Sequence, residues 1–527
     1  MPTAGTPSDS ADSVHPLTRD ALRVSLTPKE YRLLHDYALA RSSRIKDSLP
    51  APSRFESIVR PRNKHNEAAV RSSLRVFLGS GAALKLADMI IARIQGVTSR
   101  PKRSLVHSPN FRLSLALSLV LLLHRLLYRF FVRLRANLRT DDARPFRARN
   151  PRVSQALTSR YAPAVAASAA GFALGISPQR QLRLTAAIYT ATRSLEFLYN
   201  VLDQKGWCAN RPWWFGSWLL MPVSCAQLFH AFVFDRETAP KWFGKIILRF
   251  SPGYIQDRPD RFPDELYWPE KEEVVDSLAS MANLKWPPFA SPILFPSTPS
   301  TLPASLKSVS SITALAHPSI PSLSCALLHP GVPSCNTAFL HHILLSVPPL
   351  ARFLGAITVA LSAFRLKDVF VHPIATVNGL SRRIISLTAV FSAALGVAWG
   401  SVCFWSNLLP RSTLPTKRFY LSGALGGLPF MFLGNSRSTF LYFFRAAVDS
   451  AWKAGVKRGL WKGWRGGELW VIVLSLALMG AILEARPSAV QGKGVRKALA
   501  WMKGDGFADP VDVLAKRKAK KAGQKES

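Results

Sequence analysis

Apolar runs that break off into clusters of arginine and lysine set the narrowest bound on what this chain can fold into. Residues 113–123 and 469–483 hold no charged side chain, and each is bordered within a few positions by basic residues such as Arg112, Arg125, Arg465 and Arg486. Hydrophobic residues make up 48% of the 527 positions while the formal net charge is +38, so apolar bulk and basic charge must be kept apart along the chain. Membrane spans with basic flanks have this texture, because the flanking cations reach headgroups while the runs lie in hydrocarbon. Basic charge alone also suits nucleic acid, whose phosphates are neutralised by Lys and Arg. Here the cations sit beside apolar runs, and no helix-turn-helix, zinc-finger or RNA-recognition signature accompanies them, so nucleic acid is excluded as a partner. The partners expected are membrane lipids, chiefly anionic headgroups, with a second copy of the chain or organelle membrane proteins beside them.

The expected fold class is all-α, a polytopic bundle of about ten spans in two repeated halves. Residues 1–66 form a polar tail whose Asp9, Asp12, Asp20 and Glu30, with no continuous apolar core, argue against a signal peptide or a cleaved mitochondrial presequence. One short amphipathic helix is expected within it, with Thr27 as cap, Pro28 at the first helical position and Glu30 reaching back; it lies either on a membrane or over the bundle. The first half, 67–234, offers spans near 69–94, 111–132, 161–176, 182–202 and 213–234. Residues 235–334 read as an acidic stretch followed by an extended Pro- and Ser-rich linker, because Pro287, Pro288, Pro292, Pro296, Pro299 and Pro303 cannot continue helices. The second half, 335–485, offers spans near 335–364, 384–409, 419–433, 438–454 and 468–483. A basic tail, 486–527, carries Lys516, Arg517, Lys518, Lys520 and Lys521 and reads as a solvated, headgroup-binding extension.

The halves share landmarks in the same order. Phe77-Leu78-Gly79 matches Phe353-Leu354-Gly355, and Lys205-Gly206-Trp207 matches Lys462-Gly463-Trp464. Gly171, Gly175 and Arg193 each lie 252 residues before Gly423, Gly427 and Arg445, a shared spacing that composition alone does not produce. Five spans per half, an odd number, makes the repeat an inverted one, an arrangement that often encloses a path or site near the midplane.

Gly171-x-x-x-Gly175 and Gly423-x-x-x-Gly427 fit the small-residue pattern that lets helix backbones approach closely, and helix packing is their expected role. Arg193 with Glu196, and Arg445 with Asp449, put opposite charges one turn apart inside apolar helices; they line a polar path or form intrahelical bridges. Arg125, Arg129 and Arg133 stack on one helix face, placed to clamp lipid phosphates or to snorkel into the basic loop that follows. The five cysteines, Cys208, Cys225, Cys325, Cys335 and Cys403, are scattered without a disulfide framework, which fits a reducing compartment. Cys325, His329, Cys335, His341 and His342 hint at zinc, but no Cys-x-x-Cys knuckle is present, so neither metal nor cofactor is expected. No phosphate loop, nucleophile elbow or His-Glu-x-x-His motif appears, and no catalytic residues are assigned.

The segment 325–339, with Cys325, His329, Pro330, Ser334 and Cys335, resembles the Cys-rich signature of the transmembrane protein 135 family. The Gly-rich span around Gly171 and Gly175, followed by the charged span from Tyr189 through Glu196 to Tyr199, resembles that family as well. The resemblance implies a multi-pass protein of a peroxisomal or mitochondrial membrane, distantly similar to peroxisomal membrane protein 4 and to mitochondrial inner-membrane translocase channel subunits. It implies a non-enzymatic part in lipid or metabolite movement or organelle dynamics. The alternative is a membrane scaffold that recruits partners through its basic tails.

Overall fold

The computed structural model describes residues 25–39, 51–58, 64–96, 108–260, 262–294, 302–362, 366–434 and 436–526. The expectations for the tail before residue 25, including Asp9, Asp12 and Asp20, and for Pro296 and Pro299 lie outside these residues. Among the described residues the fold is all-α, with one isolated bridge between Pro288 and Ser322 and no strand.

Each of the ten expected spans is helical. In chain order they are α1 (Lys64–Ile94), α2 (Pro109–Asn137), α3 (Ala162–Ala167, continued by a 3-10 segment, Ser168–Ile176), α4 (Arg180–Gln204) and α5 (Leu220–Phe234, preceded by a 3-10 turn). The second set is α6 (Cys335–Ser362), α7 (Pro373–Leu408), α8 (Arg418–Gly426, continued by a 3-10 segment, Leu428–Phe432), α9 (Arg437–Lys457) and α10 (Gly467–Ala485). Five of the ten, α2, α5 with its leading turn, α6, α7 and α10, are long and apolar enough to cross a membrane. The others are short, like α3 and α8, or carry charges along their length, like α1, α4 and α9.

The chain divides into two compact units, residues 1–210 with 464–527 and residues 211–463, which do not coincide with the expected halves. In the first unit α1 packs on α2 through a Ser73–Ser118 hydroxyl contact of 2.7 Å, α2 packs on α3, and α10 packs on α3 and α4. In the second unit α6 packs on α7, α7 on α8, and α5 on α8 and α9. The expected domain borders therefore need correcting: α5 belongs with α8 and α9, and α10 with α3 and α4. The glycine faces explain this, since each accepts the helix that sequence order assigns to the other half.

One further expectation is overturned. The described residues of 235–334 are not an extended linker: helices Lys241–Phe250, Lys271–Asn283 and Leu323–Leu328 fold from them, and Val274, Val275, Leu278, Met281, Trp286, Leu306 and Ile312 enter the largest buried cluster. Among the described prolines, Pro287, Pro288 and Pro292 follow the helix Lys271–Asn283, and Pro303 caps the 3-10 turn Ala304–Val309, where a missing N–H is tolerated. The basic tail is likewise folded at its start. The helix Lys493–Lys503 packs on α2, where Arg125 and His124 bond to the carbonyls of Trp501 and Met502. Lys516 and Arg517 remain exposed on the following helix, Pro510–Glu526.

The amphipathic helix Pro28–Leu34 forms with the expected capping box between Thr27 and Glu30. Glu30 also accepts a 2.6 Å bond from Arg75 of α1, and Tyr31 stacks on Phe55 at 3.9 Å between ring centroids.

Candidate metal centre

In the second unit, three thiols and one imidazole converge. Cys325, His329, Cys335 and Cys403 each present a ligand atom, and these atoms all lie within 4.8 Å of one another. Cys325 stands in the short helix Leu323–Leu328, which ends at His329 because the following Pro330 disfavours helical geometry in the residue before it; His329 has φ −147° and ψ 63°. The Pro330 carbonyl accepts from the His317 amide at 2.8 Å, which fixes the turn, and the Ser334 carbonyl accepts the Ala338 amide at 3.0 Å as α6 begins at Cys335. Cys403 arrives from the last third of α7.

Three of the six edges between these atoms are short. Cys325 Sγ lies 3.7 Å from Cys335 Sγ, and His329 Nε2 lies 3.5 Å from Cys335 Sγ and 3.6 Å from Cys403 Sγ. His329 Nδ1 stands 2.9 Å from the Val332 carbonyl oxygen; since a carbonyl only accepts, Nδ1 carries the proton. Cys403, His329 and Cys325 are buried and Cys335 is half-buried. Burial alone pushes the His329 imidazolium down, yet the Cys325 and Cys335 sulphurs beside it outweigh burial and raise its pKa to about 10. The bond from Cys335 pulls the Cys325 thiol below its usual range. Tyr254 contributes a buried hydroxyl with no partner among the described residues; burial first, and then the neighbouring thiols, push its pKa up.

The absence of a Cys-x-x-Cys knuckle made zinc unexpected from sequence, but the structure brings in a further thiol, Cys403, which lies 68 residues beyond Cys335 in sequence. His341 and His342 take no part. His341 is exposed, and His342 lies against Tyr254, 5.2 Å between ring centroids.

The other expected sites fare unequally. A Cβ on Gly423 or Gly427 would stand 2.5 Å from the α5 backbone, and on Gly171 or Gly175 about as near as 3.1 Å to side chains of α10, so both glycine pairs pack helices. Arg193 and Glu196 form a 2.6 Å bridge with the carboxylate buried, while Asp449 bonds Lys453 at 2.7 Å one turn further along α9. The headgroup reading is corrected for Arg125. That guanidinium is buried, donates to Ser72 Oγ and the Trp501 carbonyl at 2.6 Å each, and sits 4.8 Å over the Trp501 ring. Arg129 and Arg133 border a cavity of about 330 Å³ beside it. Arg418, missed in the sequence, is fully buried and donates to the carbonyls of Pro410, Leu409 and Thr413 beneath Trp286. No family model, no characterised relative and no solved structure matches this chain.

Proposed function

We propose that this chain is a non-enzymatic multi-pass protein of a peroxisomal or mitochondrial membrane that contributes to lipid or metabolite movement or to organelle dynamics. The observation that carries the membrane part is the surface of the apolar helices. In the most apolar stretch of α6 only 11% of residues are buried, and Leu340, Leu344, Val359 and Leu361 are each more than half exposed. Leucine and valine arrayed around a 28-residue helix make an apolar patch far larger than a water-facing surface tolerates, and hydrocarbon is the solvent that suits it.

The repeat belongs to the same reading. In each unit the first helix packs on the second, the second on the third, and the fifth helix of the other sequence half packs on the third and fourth. Both small-residue pairs meet that exchanged helix. A duplicated, inverted five-helix element with ten crossings accounts for this correspondence. The resemblance to the transmembrane protein 135 family supplies the choice of organelle.

Lipid is favoured over a polar metabolite by a groove of about 500 Å³ between α5, α8 and α9. Its walls are Pro222, Val223, Ala226, Ala424, Val448 and Ala451, almost wholly apolar, with Gln227 and Tyr420 as the polar groups at hand. A groove of this lining holds an acyl chain and offers a polar metabolite almost no hydrogen bonds.

Two measurements test the reading. The protein should stay in the membrane pellet after alkaline carbonate extraction, and its release would sink the membrane reading itself. Reconstituted into phospholipid vesicles carrying a tail-labelled fluorescent lipid, it should speed exchange between leaflets, and Ala451→Trp, which fills the groove, should slow that exchange several-fold. Retention in the pellet with no acceleration in vesicles would leave the scaffold alternative in place of lipid movement.

A further inference from the structure

We infer that Cys325, His329, Cys335 and Cys403 bind one Zn²⁺ ion in a closed tetrahedral Cys3His centre. The argument is geometric. Zinc takes thiolate sulphur at about 2.3 Å and imidazole nitrogen at about 2.0–2.1 Å, so a tetrahedron around it has sulphur–sulphur edges of about 3.8 Å and sulphur–nitrogen edges of about 3.6 Å. Three of the six edges match these values, 3.7 Å between Cys325 and Cys335, 3.5 Å between His329 Nε2 and Cys335, and 3.6 Å between His329 Nε2 and Cys403, and the other three stay within 4.8 Å.

Ring orientation is a second, independent observation. His329 Nδ1 donates a hydrogen bond to the Val332 carbonyl at 2.9 Å, which turns Nε2 toward the thiols. Histidine ligands to zinc are held this way, the far nitrogen donating to a carbonyl or carboxylate that fixes the tautomer. The donor set also selects the ion. Three soft thiolates and one imidazole suit zinc and give magnesium or calcium none of the oxygens they require. All four positions are filled by protein, and three of the four residues are buried, so the site is structural and leaves no open position for a substrate.

Binding releases three protons from the four side chains to solvent as three sulphur–zinc bonds and one nitrogen–zinc bond form. Its consequence for the fold is a staple: Cys325 and His329 belong to the segment before α6, Cys335 opens α6, and Cys403 stands near the end of α7. The ion thus anchors that segment to one end of the α6–α7 pair. The inference does not depend on the lipid reading above.

The test uses the full chain purified in detergent without chelator. Elemental mass spectrometry should find about one zinc per chain, and Cys403→Ser and His329→Ala should each lower this at least several-fold, while Cys208→Ser, which is not one of the four residues, should leave it unchanged. Cobalt exchanged into the wild type should give the intense visible bands of a tetrahedral thiolate complex. Because a variant can fail to fold, a second measurement stays with the wild type: alkylation of native protein should spare three thiols until a strong chelator is added. Wild type that takes up no zinc on titration overturns the proposal. So does full zinc content in Cys403→Ser, and so does protection of Cys325 and Cys335 that a reductant rather than a chelator removes, which marks a disulfide.

Discussion

Gly427→Ala should lower the thermal midpoint of the second unit by several degrees, while Gly175→Ala, its counterpart in the first, should be nearly silent. The two glycines occupy matching positions in matching motifs and differ in what faces them. A Cβ at Gly427 would come within 2.5 Å of the Pro222 nitrogen and Cα and 2.7 Å of the Met221 carbonyl carbon, all backbone of α5. A backbone cannot turn aside by changing rotamer, so α5 would have to back away from α8 along its length. Overpacking of this kind costs about 1–3 kcal/mol, and contact with main chain puts it at the upper end or above. The gain in helix propensity from glycine to alanine, about 1 kcal/mol at most, is too small to offset it. At Gly175 the nearest atom is the Leu469 Cδ1 methyl at 3.1 Å, the tip of a flexible side chain that can give way. There the loss is small and is set against reduced freedom of the unfolded chain, worth about 0.4–1 kcal/mol. Gly423→Ala should resemble Gly427→Ala, since its Cβ would meet the Cys225 carbonyl oxygen at 2.5 Å. The check is the melting of each variant in detergent, followed by fluorescence or by the temperature at which monodisperse protein is lost. Equal midpoints for Gly427→Ala and Gly175→Ala would refute the close approach of α5 and α8.

Sequence showed those glycines as packing residues but named no partner for them. Spacing along one helix is local, whereas the choice of α5 or α10 as partner depends on shape at long range. The same limit explains the metal centre. Cys325, His329 and Cys335 sit within eleven residues and were noticed, but the fourth ligand comes from a different helix, and a knuckle template cannot find a Cys that tertiary packing delivers. The stretch 235–334 departs from the linker its composition suggests for another reason. Its prolines do exclude long helices, yet they leave room for short ones between them, and the apolar spacing of Val274, Val275, Leu278 and Met281 is the signal that composition hid. What was legible was periodic or capped: ten helices from apolar runs, and the Thr27–Glu30 capping box from four residues. Arg125 shows the converse, because a stack of arginines four apart gives the face they share and says nothing of whether the helix Lys493–Lys503 will cover one of them.

That covering helix is held by an ion pair whose loss should free the chain from about residue 493 onward. Arg496 donates through Nε and Nη2 to the Asp509 carboxylate at 2.9 and 2.7 Å and through Nη1 to the Val490 carbonyl at 3.1 Å, and Asp509 also accepts the Val511 amide at 3.0 Å. The Asp509 side chain is fully enclosed and that of Arg496 is 18% exposed. Removing one partner of a buried pair costs about 3–5 kcal/mol; because water still reaches Arg496, the lower part of that range applies to Asp509→Leu. The cost should be paid locally, as opening of the helices Lys493–Lys503 and Pro510–Glu526, and deuterium uptake there should rise more than tenfold at neutral pH while α4 and α10 stay protected. Replacing both residues, Arg496→Met with Asp509→Leu, should restore much of the protection, because neither charge is then left buried alone. The pH dependence has a definite sign. The Arg496 bonds hold the Asp509 carboxyl below its usual value, so the pair's contribution is present above the unfolded carboxylate pKa of about 3.9 and is lost as pH falls through the lower folded value. Once uptake is corrected for the intrinsic exchange rate, wild-type protection should be flat from neutral pH down to about 5 and fall only below about 4. Loosening of these helices in the wild type between pH 7 and 5 would show that some group other than Asp509 governs them.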